Sequence, residues 1–203
     1  EEQGVLTVVE LQHRAGGIPA LQDFLTNNPN AGIADWGSQT FQPVKQLVKQ
    51  ALNQDQQGLC AYCERSLTET DGQIDHIKPK GGANGHPELC FSYSNYAHCC
   101  INPKTCGQKK KDGLLPIEPR PGCNTQWTLS TDGTIEPVVG LIKAQRHKVN
   151  QTRDMLGLNK DSALVDDRQK WLNSALTVLR ETPDDINTFL QSAPFRHILA
   201  TML

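Results

Sequence analysis

All seven cysteines of this 203-residue chain fall between Cys60 and Cys123, and the long segments on either side contain none. An odd number of cysteines in one cluster is a poor disulfide framework and a good metal-binding one. Cys60 and Cys63 form a C-x2-C pair, and Cys100 and Cys106 form a looser C-x5-C pair downstream. Zinc requires about four soft ligands at ~2.3 Å in a tetrahedron, and a C-x2-C turn supplies two from one side. The expected set is therefore Cys60, Cys63, Cys100 and Cys106 around a structural Zn2+. At this point Cys99 stands as a substitute for Cys100, and His98 as a further one. A redox dithiol at Cys60 and Cys63 is the competing reading, and it needs a strand–helix setting that this stretch lacks. Cys90 and Cys123 are expected as buried small hydrophobes.

The cysteines divide the chain into three regions. Residues 1–58 are punctuated by Gly and Pro as far as Pro43. Val44, Leu47, Val48 and Leu52 then recur at helical spacing, with Pro43 suited to the first turn and Gly58 to the exit. Residues 59–123 are irregular and too poor in periodic segments to bury a core unaided, so a metal staple is a natural source of stability. Within them GQIDHIKPKG reads as a short strand ending in a loop, and TCGQKKKDG as the opening of a short helix. Residues 124–203 return to regular structure. Asp132-Gly133 marks a hairpin turn, and helices are expected near 141–157, 162–181 and 184–200. Asp161-Ser162 and Asp184-Asp185 are the expected N-caps. Leu164, Trp171, Leu172, Leu176 and Leu179 form the expected core stripe. The fold class is α+β, mainly helical.

The residues with chemical potential lie inside the cysteine frame. A neutral imidazole at His76 can take a proton from water, as hydrolysis of a phosphodiester requires. The adjacent Asp75 can hold a hard divalent cation, which would polarise the phosphoryl oxygen. Asn95 can fix a loop or the imidazole through its amide donor and acceptor. Lys109, Lys110 and Lys111 follow the last ligand and are candidates for phosphate contacts.

Together these residues resemble the HNH endonuclease motif in its zinc-bearing, ββα-metal form. C60-A-Y-C63 is similar to the pair before the first strand, I74-D75-H76-I77-K78-P79 to the Asp-His signature, N95-Y-A-H-C-C100 to the central Asn, and C106-G-Q-K-K110 to the last cysteine and its basic tail. The resemblance implies His76 as general base, Asp75 as ligand of a catalytic Mg2+ or Mn2+, and Asn95 as support for the active-site loop. It also implies Cys60, Cys63, Cys100 and Cys106 as structural zinc ligands, in an HNH core with flanking helices. Many HNH proteins carry a His or Asn ligand just after the last cysteine, where this chain has Gly107 and Gln108. Gln108 could offer a carbonyl oxygen there, with water and phosphate completing the cation's shell.

A narrower likeness, from about residue 42 to 170, is carried by GLCAYCERSL, DHIKPKG, FSYSNY, TCGQKKKD, GTIEP and NQTRDMLGLNKDSALVDDR. These resemble the PtuB family of Septu and retron-linked anti-phage systems. That likeness implies a DNA-cleaving subunit working in the cytoplasm with an ABC-type ATPase, PtuA. The alternative is a non-catalytic zinc-stapled module that binds nucleic acid or protein.

The formal charge of −2 gives no whole-chain hint of a polyanionic partner. Its distribution is uneven: residues 75–122 hold seven basic and four acidic side chains, net +3, leaving −5 for the remainder. Positive charge is needed only where phosphates lie. No apolar run is long enough for a membrane span. The opening EEQGVLTVVELQHR lacks the basic-then-apolar pattern of a secretory signal.

Overall fold

A computed structural model describes residues 11–203, so most of that N-terminal stretch lies outside the described residues. The first region builds two helices, α1 (Pro19–Asn27) and α2 (Gln42–Asp55), linked through a 3-10 turn at Ile33–Gly37. Helix α2 follows the expected stripe: Val48, Ala51 and Leu52 are buried, and Pro43 sits in its first turn. Gly58 leaves with φ +73°, a left-handed conformation that costs glycine little. Helix α1 was not expected from the sequence. It starts at Pro19 and buries Leu21 and Phe24 against α2.

The middle region holds two short strands and one short helix. Strand β1 (Gln73–His76) pairs antiparallel with β2 (Tyr96–Cys99), with Asp75 opposite Ala97 and His76 opposite Tyr96. Helix α3 (Cys106–Lys110) follows, so the order is strand, strand, helix. The hairpin of the third region is as the Asp132-Gly133 signal predicts: β3 (Trp127–Leu129) pairs with β4 (Ile135–Pro137), and Gly133 takes φ +85° at the turn.

Helices α4 (Lys143–Met155) and α5 (Ser162–Glu181) match the expected spans. The helix expected over 184–200 is instead broken into α6 (Ile186–Ser192) and α7 (Arg196–Ala200). The break spans residues 193–195: Ala193 is extended ahead of Pro194, and Phe195 takes φ +57° with its amide donating to the Glu64 carbonyl. That tertiary bond ties the break to the chain just after Cys63. Asp161 precedes α5 as expected but makes no cap bond, because its carboxylate accepts from Asn102 Nδ2 at 2.9 Å. Asp185 likewise makes no cap bond. Of the predicted stripe, Leu164 and Leu172 are buried, whereas Leu176 is exposed. The buried positions between them are completed by Ala175 and Arg168.

Two main apolar clusters result. One joins Leu11 and the cysteine-bearing turns to Leu129, Leu164, Leu172 and Leu199. The other joins α1, α2 and Trp36 to Cys90, Tyr93 and Tyr96. Ribbon β1–β2 lies between them, contributing Ala97 and Cys99 to the first and Tyr96 to the second. Among the described residues, no helix is long and apolar enough to cross a membrane.

Candidate active site

The two cysteine pairs converge. The ligand atoms of Cys60, Cys63, Cys100 and Cys106 all lie within 4.8 Å of one another. Sγ of Cys60 is 3.8 Å from that of Cys106, Cys63 is 3.8 Å from Cys100, and Cys100 is 3.6 Å from Cys106. A tetrahedron with Zn–S bonds of ~2.3 Å has edges of about 3.8 Å, so the four sulfurs fit a zinc ion. The choice between Cys99 and Cys100 is resolved by strand geometry. Neighbouring side chains of an extended chain point to opposite sides, so Cys100 faces the cluster. Cys99 turns away, with its sulfur 3.8 Å from Gln73 Nε2. His98 is a brace and no ligand. Its Nε2–H donates to the Asp71 carbonyl at 2.7 Å, and Nδ1 accepts from Asn53 Nδ2 at 3.3 Å. Cys90 and Cys123 are both buried in apolar clusters.

The same alternation separates Asp75 from His76 at the end of β1. Asp75 faces α3: Tyr62 donates its hydroxyl to Oδ2 at 2.6 Å, and Lys110 Nζ lies 3.1 Å from the same oxygen. Burial pushes the Asp75 carboxyl above its usual range, against the pull of Lys110 and Tyr62. His76 faces the other cluster, edge-on to Trp36 with ring centroids 4.4 Å apart and to Tyr96 at 5.2 Å. Its Nε2–H donates to the Cys90 carbonyl at 2.9 Å, which leaves Nδ1 as the unprotonated nitrogen. Burial, assisted by the charges of Lys80, Lys110 and Lys45, lowers its pKa to about 4. The ring is therefore neutral at pH 7 and can accept a proton at Nδ1.

Asn95 lies behind this pair, 2% exposed. Its Oδ1 accepts from the Lys78 amide and its Nδ2 donates to the Lys78 carbonyl, both at 2.9 Å, with a longer bond to the Leu89 carbonyl at 3.4 Å. Its own carbonyl accepts from the Ile77 amide at 2.8 Å. The loop leaving β1 is thus gripped immediately after His76.

The three lysines separate. Lys109 and Lys111 are exposed, and Lys111 lines a groove of about 480 Å³ with Asp75, His76 and Lys80. Lys110 departs from the expected phosphate-facing run. Its side chain is fully buried, and Nζ donates to the carbonyls of His76 at 2.9 Å and Lys111 at 3.2 Å. Gly107 packs tightly: a Cβ there would lie 2.9 Å from Cys99 Sγ and 3.2 Å from Asp75 Cγ. The side chain of Gln108 is taken up by Gln73, donating to its Oε1 at 2.8 Å. Apart from the four cysteines, no group of three or more His, Cys, Asp or Glu side chains among the described residues is arranged to hold a metal. A hard cation at Asp75 would thus draw most of its shell from water and phosphate oxygens.

Nothing in the sequence marks Trp36 or Tyr62 as part of the site, whereas Lys80 lies in the DHIKPKG stretch and the positive segment 75–122. Tyr62 lies inside the C-A-Y-C motif, but its contact with Asp75 is tertiary.

A neutral imidazole, a carboxylate and two lysines around one groove have the makings of an acid–base hydrolytic site. No family model matches the chain. A protein of Vibrio cholerae serotype O1 biovar El Tor, named "Retron Vc95 putative HNH endonuclease", is 42% identical over 176 residues, spanning 82% of this chain and 85% of that one. The chain belongs to the same HNH endonuclease family.

Proposed function

We propose that the protein is a metal-dependent endonuclease that hydrolyses phosphodiester bonds of DNA from a ββα-metal core. The observation that carries this reading is His76, anchored through Nε2 and neutral, on the wall of a groove that Asp75 also lines. His76 accepts a proton from water at Nδ1 as the water attacks phosphorus. Asn95 keeps the following loop in place, and Tyr62 and Lys110 orient Asp75. A Mg2+ or Mn2+ ion held by Asp75 would stabilise charge on the phosphoryl and leaving oxygens. Cys60, Cys63, Cys100 and Cys106 would hold a Zn2+ ion that staples the frame. Lys109 and Lys111 contact backbone phosphates. By its likeness to PtuB and to a retron-associated relative, the protein acts in the cytoplasm as the nuclease subunit of an anti-phage complex with the ABC-type ATPase PtuA. The test is cleavage of plasmid DNA with Mg2+ or Mn2+, with and without the ATPase. Wild type should cleave, and His76→Ala should not.

Two observations favour a second reading, a non-catalytic zinc-stapled binding module: Lys110 already pairs with Asp75, and Gly107 leaves no ligand beside it. Under that reading His76→Ala leaves every function intact.

A further inference from the structure

The groove at His76 does not end at the cysteine-framed core. A second groove of about 490 Å³ adjoins it, sharing Trp36, Gln73 and Ile74, and its other wall is α2 with Lys45 and Lys49. Lys45 Nζ lies 4.7 Å from the centre of the Trp36 ring, and Lys80 Nζ, in the loop after β1, lies 5.8 Å from it. The indole is itself buried, so it serves as a wall and not as a stacking platform. It touches both ammonium groups and, edge-on, the His76 imidazole.

Two like charges are therefore held against one ring, and among the described residues neither is in a close ion pair, although the charge of Lys80 is felt at Asp75. Their cation–π contacts offset part of the desolvation but cannot cancel the mutual repulsion. Burial and the facing Lys80 lower the Lys45 pKa, as expected of a cation lacking its anion. The carboxylates that line the two grooves are Asp75, already paired with Lys110, and Asp112 at the far side near Lys111. A phosphate anion at either ammonium would offset the repulsion each feels from the other. We infer that Lys45, Trp36 and Lys80 form a phosphate-holding track that leads the DNA backbone from helix α2 into the groove at His76. The inference rests on the nuclease reading and adds to it a substrate contact from outside the HNH core.

Each phosphate contact on duplex DNA contributes about 0.9 to the slope of log affinity against log salt, or roughly eightfold in affinity at 0.1 M salt. The experiment measures binding of a fluorescently labelled DNA duplex by the full chain across a salt series, in a His76→Ala background that keeps the probe intact. Lys45→Met and Lys80→Met keep the aliphatic stem on Trp36 but remove the charge. Each should lower the slope by about 0.9 and weaken binding roughly eightfold at 0.1 M salt. Lys45→Arg should keep the slope, as should Lys170→Gln on the exposed face of α5. Melting temperature should not fall in Lys45→Met, because the substitution relieves repulsion. An unchanged slope in Lys45→Met and Lys80→Met overturns the track, as does an equal loss in Lys170→Gln or a lowered melting temperature that accounts for the weaker binding. Cleavage by the otherwise wild-type chain, run in parallel, separates the two ideas. If it cleaves and the lysine slopes do not move, only the track is wrong. If it neither binds nor cleaves DNA, both readings fall.

Discussion

Asn95 gives the sharpest test of how the site is held, because its two possible roles predict opposite orders of activity. As a loop brace it must both accept from the Lys78 amide and donate to the Lys78 carbonyl, each at 2.9 Å. Asn95→Ala deletes both bonds and leaves an N–H and a C=O without their partner. At about 0.5–1.5 kcal/mol net per neutral hydrogen bond, the loss is about 1–3 kcal/mol. If that energy is what keeps the loop after His76 in place, cleavage should fall roughly 5- to 150-fold, at about 1.4 kcal/mol per decade. Asn95→Asp should be worse. Its carboxylate can still accept from the Lys78 amide, but its second oxygen then meets the Lys78 and Leu89 carbonyls at a site only 2% exposed. A cation ligand would behave in the reverse way, since a carboxylate binds a hard divalent ion better than an amide does. The assay is plasmid cleavage at saturating Mg2+ for wild type, Asn95→Ala and Asn95→Asp, with hydrogen exchange at the Ile77 and Lys78 amides. Wild type above Ala above Asp, with faster exchange in both variants, is the expected order. An Asp variant as active as wild type would refute the brace.

Three further outcomes follow from the packing. A strong chelator should unfold the cysteine-framed region cooperatively, followed by circular dichroism and reversed by Zn2+, because a structural zinc contributes about 10–16 kcal/mol and a domain's whole stability is about 5–15; unchanged spectra after verified metal removal would count against a structural role. Gly107→Ala should cost about 1–3 kcal/mol in urea unfolding through contact with Cys99 and Asp75, its φ being no obstacle. An alanine tolerated without loss would mean that the close packing is soft. Arg168→Met should cost about 2–6 kcal/mol, since it strands the buried Gly133 and Leu158 carbonyls, which accept from the guanidinium at 2.7 and 2.8 Å, at about 1–3 kcal/mol each, and breaks the longer bond to Asn159 Oδ1 at 3.2 Å. Arg168→Lys should recover little of it, because one ammonium cannot reach three acceptors in a fork. A loss under about 1 kcal/mol in urea titration would refute that account.

Local signals in the sequence located the features that depend on local geometry. Pro43 and Gly58 bounded α2, Asp132-Gly133 set the hairpin, and the 3.6-residue stripe located α5. The cysteine pairs were visible because ligand spacing is a local property of each pair. The features that were hidden are those decided by distant partners. Cys99 and Cys100 are equivalent in sequence until strand pairing assigns each a face. In the 184–200 helix Pro194 is a local signal of the break, but the bond from the Phe195 amide to the Glu64 carbonyl that anchors it is tertiary. Arg168 sits on the core side of α5 because the β3–β4 turn and the α4–α5 link bring three acceptors to it. Lys110 looked like the middle of a solvated run, yet a one-turn helix rotates it inward while Lys109 and Lys111 face water.

The charge of the chain illustrates the same division. A net −2 says little about a partner, and the +3 of residues 75–122 overstates what that segment shows to a phosphate, since Lys110 is consumed by Asp75 and Lys78 lies 3.9 Å from Glu118. What the groove loses inside the core it regains from outside, because α2 brings Lys45 and Lys49 alongside Lys80 and Lys111. Those two lysines belong to a segment that the composition counts among the acidic remainder. The field at the site is therefore a product of tertiary packing through Trp36, whose ring sets the distance between the helix and the loop after β1. On the proposed phosphate track, helix α2 would belong to the substrate surface and be more than a support for the HNH motif. A core excised at residues 59–123 would lose Lys45 and Lys49, two of the four lysines lining the two adjoining grooves, along with the indole that backs His76.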